Sequence, residues 1–212
     1  MNGKNIVIDS GPDFRYQMLR CGINKLNALL LTHSHKDHIA GLDDIRAFNY
    51  IQKTAIDVYL EQATLDAVKR EFYYIFEENK YPGVPEINTH LIENKEFLCA
   101  SIPITPIRVM HYRMPVLGFR IGDFSYITDA NFIAQVEKEK IYGSKVLVLN
   151  ALRKSNHISH FSLDEALQLA AELKIPKTYL IHVSHQLGLH DEVSLALPSG
   201  VMLAYDTLKV TL

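Results

Sequence analysis

The chain has 212 residues, 48% of them hydrophobic, enough to bury a full core, and no repeat or low-complexity tract divides it, so one domain over 1–212 is expected. Lys plus Arg number 22 against 24 Asp plus Glu, a net charge of −2, and the pI is near 6.5, which excludes a global basic field for gripping nucleic acid or an anionic membrane. Cys21 and Cys99 stand far apart in no C-x-x-C arrangement, excluding a disulfide framework or a thiolate zinc site, and no apolar run suits a secretory leader or a bilayer span, so a cytoplasmic protein is expected.

Residues 5–9 read as a short strand, ended by the turn Ser10-Gly11-Pro12-Asp13, and residues 14–21 as a helix closed by Gly22. Asp9 and Asp13 are read as structural hydrogen-bonding groups. Leu29-Leu30-Leu31 then forms a buried strand that runs into Thr32-His33-Ser34-His35-Lys36-Asp37-His38, three histidines and a carboxylate within six residues. Alternation along an extended segment puts His33 and His35 on one face, with Asp37 and His38 aimed at a neighbouring point, so two ions are expected. Nitrogen and oxygen donors without a nearby thiolate suit an open zinc, manganese or iron site rather than a closed structural zinc.

Leu42, Ile45, Phe48 and Ile51 mark an amphipathic helix with Asp43 and Asp44 in its first turns, and Asp44 is also placed to brace a ligand histidine. Residues 56–60 read as a strand, and Leu65, Val68, Phe72 and Ile75 as a second helical stripe, with the neighbouring aromatics assigned to the core. A loop over 77–86 follows, then strands over 87–92 and 97–110 interrupted by Pro103 and Pro106. His111 ends the last of these. A hairpin, 116–121 and 124–128 about Gly122-Asp123, delivers Asp129 to the end of its second strand.

Residues 131–140 read as a helix and 145–150 as an apolar strand. Ser162 and Glu165 fit a capping box for a helix ending near Ile175-Pro176, with His160 just before the cap, where the helix dipole disfavours a protonated imidazole. A strand over 179–181 leaves His182 at its end, and residues 201–212 close the chain as one or two strands. His90, His157, His185 and His190 are read as solvent-facing.

The H-x-H-x-D-H run of His33, His35, Asp37 and His38 resembles the signature of the metallo-β-lactamase superfamily, and His111, Asp129 and His182 follow in the order in which that superfamily supplies its remaining ligands. Ile8 to Arg15, Leu31 to Arg46, Gly118 to Asp129 and His160-Phe161-Ser162 are most similar to the PhnP-type phosphoribosyl cyclic phosphodiesterases. The resemblance implies an α/β fold, the αββα sandwich, here lacking the usual first strands and so leaving one sheet with an exposed edge. It also implies two divalent metal ions, Zn or Mn, with Fe also suited. His33, His35 and His111 would hold one, Asp37, His38 and His182 the other, and Asp129 would bridge them.

Such ions stand about 3.5–4 Å apart and share a water ionised near neutral pH, which attacks the ester. His160 is the candidate general acid or phosphoryl hydrogen-bond donor, and Asp37 is placed with it at the catalytic centre. The implied function is a dinuclear metal-dependent phosphodiesterase opening a small cyclic or ribosyl phosphodiester. Its expected partner is that small molecule, with no membrane and no nucleic acid, and a homo-oligomer is left open. The alternatives are a transfer-RNA 3′-end endonuclease, an ester, thioester or lactone hydrolase of the same superfamily, and a non-catalytic metal-binding or assembly protein.

Overall fold

Short apolar strands joined by helices build a parallel sheet in the first part of the chain, because parallel neighbours need a crossover between them. The computed structural model describes residues 3–212 and falls into two units, the first ending at Ile102 and the second spanning Pro103–Leu212. In the first, β1 (Ile6–Ile8), α1 (Phe14–Cys21), β2 (Ala28–Leu30), α2 (Lys36–Ile39), α3 (Arg46–Gln52), β3 (Ile56–Leu60), α4 (Gln62–Glu71), β4 (Ile87–Leu91) and β5 (Phe97–Cys99) follow in order. The sheet order is β1-β2-β3-β4, with Val7 opposite Leu29 and Leu29 opposite Val58. Every residue of the inner strand β2 is buried, as its continuous apolar run requires. Terminal β4 is exposed at four of its five residues.

Gly22 closes α1 at φ 65°, as the sequence reading expects. The stripe after the histidine motif departs from it. Leu42–Ile45 is a 3₁₀ turn preceding α3, and a helix with three residues per turn keeps positions 42 and 45 in line. Once α3 winds at 3.6 residues per turn, Ile51 rotates off the face that buries Phe48 and is 60% exposed. Likewise Leu65 and Val68 are buried on α4, but Ile75 reaches the same core through a 3₁₀ turn, Tyr73–Ile75. Of the aromatics assigned to the core, Tyr73 is exposed.

The second unit contains β6 (Ile102–His111), β7 (Met114–Ile121), β8 (Phe124–Ile127), β9 (Phe132–Ile133), α5 (Gln135–Ile141), β10 (Val146–Asn150), α6 (Leu163–Leu173), β11 (Lys177–Ile181), α7 (His190–Ala196) and β12 (Val201–Leu203), β6 beginning at the last residue of the first unit. Its strands run β12-β11-β10-β8-β7-β6, parallel from β12 to β8 and antiparallel from β8 to β6, with β9 pairing β6. Its own core includes Ile107, Val116, Ile127, Leu147, Leu149 and Leu180.

Two sequence expectations change here, and one further element went unread. β6 runs unbroken through Pro103 and Pro106: Pro103 precedes the ladder with β7, which starts at Thr105, and Pro106 shares the side of Arg108, whose N–H donates to Glu137, so neither missing donor costs a rung of that ladder. Residues 131–140 are not one helix: Phe132 and Ile133 pair with Met110 and Val109, and α5 begins only at Gln135. α7, with Val193 as its one buried residue, carried too short an apolar signal to be read. The capping box at Ser162 is present as expected, with both reciprocal bonds made. The class is the mixed α/β one that the sequence implies, and no helix among the described residues is long and apolar enough to cross a membrane.

Candidate metal centre

In the first unit the histidine motif leaves β2 and enters α2. His35 sits at the N-cap position of α2, which puts Asp37 and His38 on its first turn. The ring centroids of His33 and His35 are 4.6 Å apart, those of His33 and His38 4.2 Å apart, and His38 Nε2 lies 3.4 Å from Asp37 Oδ2. His33 and His38 are buried, whereas His35 and Asp37 are exposed.

One carboxylate organises this cluster from beneath. Asp9, left-handed at φ 60° just after β1, accepts hydrogen bonds from the Thr32 N–H (2.8 Å) and the Thr32 hydroxyl (2.8 Å), and lies 2.6 Å from His38 Nδ1. With its proton given to Asp9, the Thr32 hydroxyl accepts from His33 Nδ1 at 2.9 Å. Both imidazoles in neutral form therefore carry their proton on Nδ1 and their lone pair on Nε2. Burial pushes the Asp9 carboxyl above the usual carboxylate range, and His38 and Thr32 pull it back. This brace is Asp9. Asp44, the other candidate, makes no such contact, and Asp43 instead accepts the Tyr74 hydroxyl at 2.8 Å.

Backbone packing fixes the height of the cluster. Ser10 N–H donates to the His38 carbonyl and Gly41 N–H to the Ser10 carbonyl, each at 2.8 Å. A Cβ on Gly41 would sit 2.3 Å from the Gly11 carbonyl oxygen, so only glycine permits this approach.

In the second unit each expected donor stands where a strand stops. His111 is the last residue of β6, Asp129 lies two residues past β8, and His182 directly follows β11. Asp129 and His182 both adopt left-handed backbone, each at φ 54°, a strain of roughly 1–3 kcal/mol per residue that the surrounding sheet must hold. Asn150, fully buried at the end of β10, does part of this work by accepting the Ala130 N–H (2.8 Å) and donating to the Ala130 carbonyl (2.9 Å). Thr128 donates its hydroxyl to Asp129 Oδ1 at 2.6 Å, and His182 Nδ1 lies 3.2 Å from the same oxygen. His111 donates from Nδ1 to the Ser159 carbonyl at 2.9 Å, so its lone pair too is on Nε2.

His160 lies among these groups, its ring 4.6 Å from His111 and stacked at 4.9 Å on His182. It offers, with His111 and Asp129, one ligand atom each within 4.8 Å of one another. Its Nδ1 is buried without a hydrogen-bond partner. Burial first, then the neighbouring histidines, push its pKa down to about 4, against the opposing pull of Asp129. Desolvation rather than the α6 dipole is thus the leading cause. The residues fit divalent metal: nitrogen and oxygen donors only, three imidazoles with their proton held on Nδ1, and an orphaned buried nitrogen.

His90 and His190, read as solvent-facing, are exposed, although His90 pairs with Asp57 at 3.0 Å. Asp9, read from the sequence as a structural hydrogen-bonding group, is that brace, whereas Asn150, Thr128 and the Ser159 carbonyl were not singled out as site-forming in the sequence. Asn150 alone left a signal there, a polar residue ending an otherwise apolar strand.

The family model of the β-lactamase superfamily domain matches residues 4–183. The chain belongs to the β-lactamase superfamily. A solved structure of a diphosphatase from the PhnP family aligns with a TM-score of 0.92 and 35% identity, covering 100% of this superfamily member and 81% of that chain. Among curated relatives, an octanoyltransferase of Porphyromonas gingivalis is 39% identical over 209 residues, 98% of this chain and 42% of that protein. A ribonuclease Z of Bradyrhizobium diazoefficiens is 27% identical over 121 residues, 55% of this chain and 40% of that protein. The chain thus spans about two fifths of the length of these curated relatives. The superfamily fold implies divalent metal, and the chain has His and Asp side chains that could hold it, His111, Asp129 and His160 of the second unit among them.

Proposed function

We propose that this superfamily member is a dinuclear metal-dependent hydrolase of phosphodiesters, taking a small cyclic or ribosyl phosphodiester or a diphosphate diester. The similarity to the PhnP-family diphosphatase over the full chain carries this reading. As the resemblance implies, His33, His35 and His111 would hold one ion and Asp37, His38 and His182 the other, with Asp129 shared. When bound, such ions supply Lewis acidity and a water ionised near neutral pH, so no side-chain nucleophile is needed.

The remaining work falls to the chain. Asp9 and Thr32 orient His38 and His33, the Ser159 carbonyl orients His111, and Asn150 holds the backbone beside Asp129. His160, outside the seven-ligand set, keeps one N–H in its neutral form and serves the phosphoryl or leaving oxygen as hydrogen-bond donor or general acid. His160→Ala is expected to slow alkyl phosphodiesters roughly a hundredfold or more while sparing nitrophenyl esters, whose leaving group needs no proton. Equal slowing of both removes that role.

Two relatives supply rival substrates. The ribonuclease Z similarity favours precursor transfer RNA, against which the near-neutral pI weighs. The octanoyltransferase similarity favours an acyl thioester. The deciding experiment is metal analysis of purified protein with turnover measured on bis(4-nitrophenyl) phosphate, a cyclic ribose phosphate, a diphosphate diester, a lactone, octanoyl thioester and precursor transfer RNA. Two ions per chain with turnover of the small phosphate esters is the expected result. Activity confined to lactone, thioester or RNA overturns the substrate class.

A further inference from the structure

The loop before α6 carries a histidine that the proposed ligand set does not use. Residues 153–160 are tied down from several sides: Arg153 donates to the carbonyls of Ser155 (3.2 Å) and Asn156 (2.7 Å) and to Gln186 Oε1 (3.0 Å). Leu163 N–H donates to the Arg153 carbonyl at 2.9 Å and Phe161 N–H to the Ala130 carbonyl at 2.7 Å. The loop holds the His157 ring, which is partly exposed, with its centroid 5.2 Å from that of His160.

Ser159 sorts the two histidines on either side of it into opposite tautomers. Its carbonyl can only accept, so His111 carries its proton on Nδ1 and shows a lone pair on Nε2, as a metal ligand must. Its N–H can only donate, and it points at His157 Nδ1 from 3.3 Å, with the Ser159 hydroxyl at the same distance. His157 Nδ1 is therefore the acceptor, and the neutral ring carries its proton on Nε2. That nitrogen makes no hydrogen bond among the described residues and is unsuited to a cation, but it is a ready donor to an anion.

We infer that His157 is a substrate-anchoring residue that donates its Nε2–H to a non-bridging phosphoryl oxygen of the ester attacked beside His160. The inference rests on the phosphodiesterase reading above. With ring centroids 5.2 Å apart, the two imidazoles are close enough to serve different oxygens of one tetrahedral phosphoryl group, an arrangement that would fix the ester in place while His160 attends to the reacting bond.

The test compares wild type, His157→Ala and His157→Gln, all metal-loaded, the glutamine amide supplying a donor near the position of Nε2. His157→Ala is expected to raise KM for bis(4-nitrophenyl) phosphate, and the inhibition constant of inorganic phosphate, roughly tenfold to a hundredfold, as loss of a hydrogen bond to a charged group does. The larger part of the loss falls in KM rather than kcat, metal content is unchanged, and His157→Gln recovers most of it. Unchanged KM and phosphate affinity in His157→Ala overturn the inference, as does a loss of metal in step with activity. If the wild type turns over no phosphodiester, the phosphodiesterase reading fails by itself. Calorimetric binding of inorganic phosphate to the same three proteins still decides the role of His157, and equal affinity in all three overturns it.

Discussion

The two units present metal-type donors in contrasting ways. In the first, four donors lie within six residues, and side chains aim them: one carboxylate, Asp9, reaches His38 directly and His33 through the Thr32 hydroxyl. In the second, His111, Asp129 and His182 come from the ends of three strands, and backbone does much of the aiming, through the Ser159 carbonyl and the left-handed turns at 129 and 182, with the Thr128 hydroxyl and the Asn150 amide added only beside Asp129. A motif packed into one loop needs a single buried brace. Donors separated by tens of residues need a sheet stiff enough to hold strained backbone at each strand end.

Removing a donor from the second unit breaks this arrangement most severely. Asp129→Ala is expected to reduce turnover to background while leaving the far-ultraviolet circular dichroism and thermal transition in place; retained turnover by the metal-loaded variant counts against the proposed centre. Next comes the brace of the first unit. Asp9→Asn is expected to weaken zinc affinity about 10–100-fold, the usual cost of losing the partner of a ligating imidazole, as measured by competition with a chromophoric chelator.

Smaller effects sharpen the contrast. Gly41→Ala places a Cβ against the Gly11 carbonyl and is expected to cost about 1–3 kcal/mol, seen as a lowered Tm with metal bound or removed. Ser159→Ala leaves the carbonyl that orients His111 and is expected to leave zinc affinity unchanged, the opposite of Asp9→Asn; a matching loss would refute the division between side-chain and backbone braces. Least of all, thiol titration of the native protein is expected to count one reactive cysteine. Cys21 is exposed, whereas Cys99 is buried and its thiol is pushed up to about 12.

Much of this was legible in the residues themselves. The strand before the histidine motif, the helix closed by Gly22 and the capping box at Ser162 are local signals, set by neighbours a few positions away, and all three are present. Where a reading failed, a tertiary partner or a change of helix type had intervened. Phe132 and Ile133 left the expected helix because β6 offered them a rung, and Ile51 turned outward because a 3₁₀ turn upstream shifted the phase of α3.

Residue types alone determined the donor chemistry, nitrogen and oxygen without thiolate, and the resemblance carried by the sequence motifs implied the α/β class. Only the tertiary structure decided which nitrogen of each imidazole carries the proton. That choice depends on whether a carboxylate, a hydroxyl, a carbonyl or an N–H lies opposite the ring, and those partners come from positions 9, 32 and 159, placed there by the folded chain.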